Sequence, residues 1–127
     1  MMLQLIDPVF CVCKVADFSQ VDWTAEFIFI AKTDDECSLV CPDTVIPPNQ
    51  TAIEPDWRAI KIVGTLDFSL VGIIAKLSAI LAAHQISLFV VSTFNTDYVL
   101  VKQTKLAQTL EVLEAEGYQF AELTNNH

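Results

Sequence analysis

Two short polar segments carry the groups best suited to holding a small charged molecule. Asp67-Phe68-Ser69-Leu70-Val71-Gly72-Ile73 combines a carboxylate, a hydroxyl and a glycine. Ser92-Thr93-Phe94-Asn95-Thr96-Asp97 adds more hydroxyls, an amide and a second carboxylate. The first segment reads as a strand end, a polar turn and the opening of a helix, where backbone N–H groups lack intrahelical partners and favour an anion. The second is the polar exit of the apolar run from Ile86 to Val91. Were the two elements neighbours, one sheet edge would present donors and carboxylates together, chemistry that suits a zwitterion such as a free amino acid. No nucleophile–base pair and no metal-ligand cluster competes with it, so no catalytic residue, no metal and no cofactor is expected.

Each of these residues also has a plainer role. Gly72, placed in the first turn of a helix, costs up to about 1 kcal/mol against Ala. Its missing side chain lets either a ligand carboxylate or a packed strand come close. Ser69 is the natural N-cap, and Asn95 and Thr96 are turn formers. Asp67 and Asp97 stand at strand ends, where they either shape a turn or accept hydrogen bonds from a cationic ligand. His84, near a helix C-terminus, reads as a cap or core histidine. Asp34-Asp35 and the glutamates Glu111, Glu114 and Glu116 read as solvated surface.

The elements that must position these groups follow from periodicity. Strands are expected at Val9–Val15, Glu26–Lys32 and around Cys37–Cys41, with a turn at Thr33–Glu36. Pro42 to Pro55 is rich in proline and reads as a linker. Beyond it come a strand at Trp57–Val63 and an amphipathic helix over Leu70–Gln85. Strands at Ile86–Thr93 and Asp97–Lys102 follow, joined by Phe94-Asn95-Thr96. A second helix is capped by Thr104 and ended by a left-handed Gly117, and a last strand covers Tyr118–Leu123. The second half thus reads β-α-β-β-α-β, a four-stranded antiparallel sheet with two helices on one face, of the ferredoxin-like α+β class. Residues 1–54 look like an eroded version of the same unit plus the linker, and 55–127 like the complete one. No repeat is strong enough at the level of sequence to establish duplication.

Composition narrows the function further. The 127 residues carry a net charge of −9 with only 7 Lys plus Arg, which argues against nucleic acid. Hydrophobic residues make up 53% and mean hydropathy is +0.45, which fits apolar surface buried against a second copy, a homodimer. Leu70 to Val91 is apolar enough to suggest a membrane span. It contains Lys76, His84 and Gln85, and breaks into a helical and a β-rich part, so no membrane association is expected. The pairs Cys11/Cys13 and Cys37/Cys41 lack the spacing of zinc knuckles. They read as buried free thiols in a cytoplasmic protein.

The β-α-β-β-α-β order, with Asp67 to Ile73 at its first strand–helix junction, resembles an ACT domain. Val40-Cys41-Pro42, Trp57-Arg58 and Ser92 to Val101 narrow the likeness to stand-alone bacterial ACT proteins related to the ACT modules of animal cytosolic arginine sensors. That resemblance implies a regulatory protein that binds a free amino acid at interfaces between paired units and acts on a downstream protein partner. It implies Ser69, Leu70, Val71, Gly72 and Ile73 around the ligand's main-chain groups. Thr93, Asn95, Thr96 and Asp97, with Asp67 as a further acidic candidate, would face its ammonium or side chain.

Overall fold

The computed structural model describes residues 1–63 and 72–121. It comprises β1 (Met2–Val15), β2 (Phe29–Lys32), β3 (Cys37–Pro42), β4 (Gln50–Ile62), α1 (Ile73–Ala83), β5 (Phe89–Ser92), β6 (Asp97–Lys102), α2 (Leu106–Ala115) and β7 (Gln119–Phe120). The chain divides into two compact units. One is Met1–Asp7 together with Arg58–His127, and the other is Pro8–Trp57. β1 and β4 supply residues to both.

In the unit built from both chain ends, strand order is β7-β1-β4-β6-β5. Alternate residues of its strands, Ile60 and Ile62 on β4 and Val99 and Val101 on β6, join Leu3 beneath the two helices. Leu77 and Leu81 of α1 lie one turn apart and Leu113 of α2 completes the cluster, all fully buried. Each such side chain contributes about 1.5–3 kcal/mol through burial. This is the expected α+β layering of an antiparallel sheet with two helices on one face.

The fourth strand position differs from expectation. β7 is only two residues long and does not flank β4. The start of β1 takes that place, with Val63 N–H donating to the Met2 carbonyl at 3.0 Å. β7 adds in parallel outside it, Met2 opposite Gln119 and Leu3 opposite Phe120. Leu3 carries the reason: successive strand residues face opposite sides, and Leu3 faces inward, fully buried, while Met2 is exposed. Pro8, which would stop a helix, lies between the two ladders on that side of β1, after the β7 pairs and before the β3 pairs that begin at Phe10. No ladder partner on that side needs its missing N–H.

In the other unit the order is β2-β3-β1-β4. Cys11, Cys13 and Val15 of β1 face Leu39 and Cys41 of β3 in one apolar cluster with Val21. A 3-10 turn at Phe18–Gln20 follows, its first N–H groups capped by Asp17, which accepts from Ser19 N at 3.0 Å. β2 begins at Phe29 rather than Glu26, because Phe27 is left-handed at φ 62° and meets the Phe10 ring edge-on at 6.1 Å. The stretch read as a linker holds a 3-10 turn at Asp43–Val45 and then the first half of β4. Prolines there bound the strand rather than dissolve it.

The two units share a pattern that the sequence conceals. Phe29–Lys32, Cys37–Pro42 and the 3-10 turn Asp43–Val45 correspond in length and order to Phe89–Ser92, Asp97–Lys102 and the 3-10 turn Gln103–Lys105. Every boundary moves by the same 60 positions, from 29 to 89, 37 to 97 and 43 to 103. Thr33 and Thr93 open the intervening turns in the same way, each N–H donating to the carbonyl three residues on, at 3.0 Å and 2.8 Å. No counterpart of α1 or α2 exists in residues 8–57.

Candidate functional site

The turn between β5 and β6 is built around two threonines. Thr93 N–H donates to the Thr96 carbonyl at 2.8 Å, and the Thr93 hydroxyl donates to the same carbonyl at 3.0 Å. Thr96 is only 3% exposed, and its hydroxyl donates to the Ile62 carbonyl at 2.7 Å. That bond fastens the turn to the last residue of β4. Thr96 is therefore the anchor of the turn, its donor already used. Thr93 and Asn95 are exposed, Asp97 is half-buried at the start of β6, and Phe94 projects with 79% of its surface free.

The opening of α1 differs from expectation by three residues. The helix starts at Ile73, and its N-cap is Gly72, at φ 83° with no side-chain cap. Gly72 thus stands before the first turn, not inside it, and its left-handed conformation is the reason for glycine there. Lys76 N–H makes the first helical bond, to the Gly72 carbonyl at 2.8 Å, so no carbonyl of α1 serves the N–H groups of Ile73, Ile74 and Ala75. Asp67, Ser69, Leu70 and Val71 lie outside the described residues. α2 begins similarly without a side-chain cap: Thr104 sits in a 3-10 turn and Lys105 holds the N-cap position.

Gly72 and Ile73 border an open cleft of about 330 Å³ that is lined, among the described residues, also by Met1, Lys76, Glu116, Gly117 and Tyr118. Gly117 ends α2 in the left-handed conformation expected of it, φ 96°. Thr93, Asn95, Thr96 and Asp97 do not line this cleft. The structure thus brings the turn to the end of β4 and brings the start of α1 to the end of α2. That Lys76, Glu116 and Tyr118 stand beside Gly72 was not legible in sequence, because nothing in the order of elements marks which side chains flank a helix end from outside.

The remaining reactive groups have structural surroundings. His84 closes α1, with Nδ1 3.1 Å from the Ile80 carbonyl. Cys11 and Cys41 oppose each other across β1 and β3, Sγ to Sγ 3.8 Å, and all four cysteines are free. Sharing a hydrogen bond with Cys41, then burial, pushes the Cys11 thiol far above its ordinary value. Burial first, then the Cys11 charge, pushes Cys13 up to about 11. Among the described residues no group of three or more His, Cys, Asp or Glu is placed to hold a metal. None of the helices described is long and apolar enough to cross a membrane.

Comparison with known proteins fits this architecture. The ACT domain family matches residues 52–115, half of the chain. The chain belongs to the ACT domain family. Over 59 residues it is 41% identical to the human cytosolic arginine sensor for mTORC1 subunit 1, a match covering 46% of this chain and 18% of the sensor. A crystal structure of an Agobacterium tumefaciens protein superposes with a TM-score of 0.85 at 29% identity, covering 99% of this chain and 96% of that one. The regulatory subunit of aspartate kinase from Thermus thermophilus shares the fold, with a TM-score of 0.61 at 11% identity over 91% of this chain and 97% of that one.

Proposed function

We propose that this protein is a regulatory amino-acid sensor without catalytic activity of its own. It binds a free amino acid beside the junction of β4 and α1 and passes the signal on through association with a second copy, in the cytoplasm. The ligand set of this reading is Asp67, Ser69, Leu70, Val71, Gly72 and Ile73 with Thr93, Asn95 and Asp97, and Thr96 holds the turn in place. The bond from Thr96 to the Ile62 carbonyl is the observation that supports it most, because it ties the β5–β6 turn to the last residue of β4, which precedes the first segment in the chain. ACT membership and the likeness to an arginine sensor support the ligand class. We take the first half to be an ACT unit that has lost both helices, for which the 60-position correspondence speaks.

Ligand acts by population shift: it favours the assembly in which its site is complete by as much as its affinities for the two states differ. Thermal unfolding against the twenty amino acids, L-arginine first, tests this. At a hundred times the dissociation constant a true ligand adds about 2.7 kcal/mol, a rise of several degrees. A flat panel would instead favour a dimerisation module that binds nothing.

A further inference from the structure

We infer that the Pro8–Trp57 unit carries a second copy of the junction motif, closed by Asn49 of the same chain, so that the protein takes one amino acid per chain and not two. The count of one rests on the amino-acid-binding reading above; the closure does not.

The copy is visible first in sequence. Asp17-Phe18-Ser19-Gln20-Val21 matches Asp67-Phe68-Ser69-Leu70-Val71 at four of five positions. So short a match does not establish a duplication, but both segments stand in the same context. Each follows a long strand, β1 or β4, and precedes one of the two strand pairs related by 60 positions. Asp17 lies 12 positions before β2 and Asp67 lies 22 before β5. The difference of ten is close to the 11 residues of α1, as in a unit whose first helix has been removed.

In the Pro8–Trp57 unit the groups of the motif are already used. Asp17 Oδ1 accepts from the Ser19 N–H at 3.0 Å and from the Ser19 hydroxyl. A third donor comes from more than thirty residues away: Asn49 Nδ2 donates to the same Oδ1 and to the Asp17 carbonyl, both at 3.2 Å. The Asn49 backbone is fixed too, its carbonyl accepting from the Ala16 N–H at 3.2 Å. An N–H donated to a carboxylate is a charge-assisted bond, the kind that a ligand's ammonium would make. The Ser19 hydroxyl and then its N–H hold the Asp17 carboxyl below its ordinary range, and Asn49 adds to them. Val21, the last residue of the copy, is buried in the cluster with Cys11, Cys13 and Leu39. No helix stands between the 3-10 turn at Phe18–Gln20 and β2, so no first turn offers N–H groups to a carboxylate there.

The unit built from both chain ends repeats the strand-end bond with a different side chain. Val63 N–H donates to the Met2 carbonyl as Ala16 N–H does to that of Asn49, each donor following the last residue of its long strand. Met2 thus stands where Asn49 stands. Its thioether carries no donor, so the clasp is not repeated. Asp67 also comes three residues further beyond its strand than Asp17 does. One copy is closed by its own chain and the other is left for a ligand.

The test combines urea unfolding with calorimetry on the full chain and on Asn49→Ala, Asp17→Ala, the two together, and Asp67→Ala, with far-UV circular dichroism to check folding. L-Arginine is the probe, replaced by whichever amino acid of the panel binds. Asn49→Ala and Asp17→Ala should each lower the urea midpoint by about 0.5 M. The double variant should lose less than the two shifts added, as coupled neighbours do. The parent and both single variants should bind one amino acid per chain with affinities within about twofold, whereas Asp67→Ala should weaken binding about threefold or more. Two sites per chain, or Asp17→Ala weakening the ligand as much as Asp67→Ala, overturns the closed copy. An unchanged midpoint in Asn49→Ala, or fully additive losses, overturns the clasp. If the parent binds no amino acid, the sensor reading falls and the count of one with it, while the urea midpoints still decide the clasp.

Discussion

Cys13 shows how a residue's surroundings set its chemistry. Its thiol faces Cys11 and Cys41 in an apolar cluster, and burial raises it from the ordinary 9.0 to about 11. The unfolded chain loses this proton near pH 9 and the folded chain keeps it. As pH rises from about 9 to about 11, the unfolded state binds fewer protons, and stability falls by roughly 2 kcal/mol. Urea midpoints measured across that window should decline, with Cys11 adding to the fall in the same sense, and Cys13→Ala should make the decline shallower. Gly72 illustrates the limit of reading single residues from sequence: a glycine near a helix start was legible, but its φ of 83° was not. A substituent there meets open space and still strains the backbone by about 1–2 kcal/mol. Asn, which tolerates the left-handed region, is therefore the more informative probe of that position.

Elements with a strong period were legible. The stripe of Leu77 and Leu81 in α1, the alternation of Ile60 and Ile62 in β4, and the Leu106, Leu110, Leu113 spacing of α2 all lie where their repeats place them. Starts and stops were less so. α1 starts at Ile73 with Gly72, not Ser69, as its N-cap, and β4 runs back through Pro55 to Gln50, because partners on a neighbouring strand override local proline signals. The β5–β6 turn was legible as a turn, but the inward aim of Thr96 was not, since Asn95 and Thr96 look alike as turn formers. Its 2.7 Å bond to Ile62 now gives a clear expectation. Thr96→Val keeps the shape, leaves that carbonyl without its partner, and should cost about 1–2 kcal/mol in urea unfolding. A change within 0.3 kcal/mol would mean that the turn holds itself.

At the level of the molecule, the two halves of the chain are not two halves of the structure. Met1–Asp7 belongs with Arg58–His127, an exchange that no local pattern announces, because Leu3 looks like any exposed terminal residue until its neighbours are known. A chain of residues 58–127 alone leaves one flank of β4 bare and removes Leu3 from the core. It is expected to lose cooperative melting by circular dichroism, whereas the same chain with residues 1–7 joined through a flexible linker should regain it. Recovery without those seven residues would show that β7 can take their place.

The parallel pairing of Met2 with Gln119 has a consequence for biosynthesis. The segment around Met2 is translated well before its neighbour around Gln119. One flank of the start of β1 therefore waits for its partner until Gln119 and Phe120 have emerged, and only then does this ladder close.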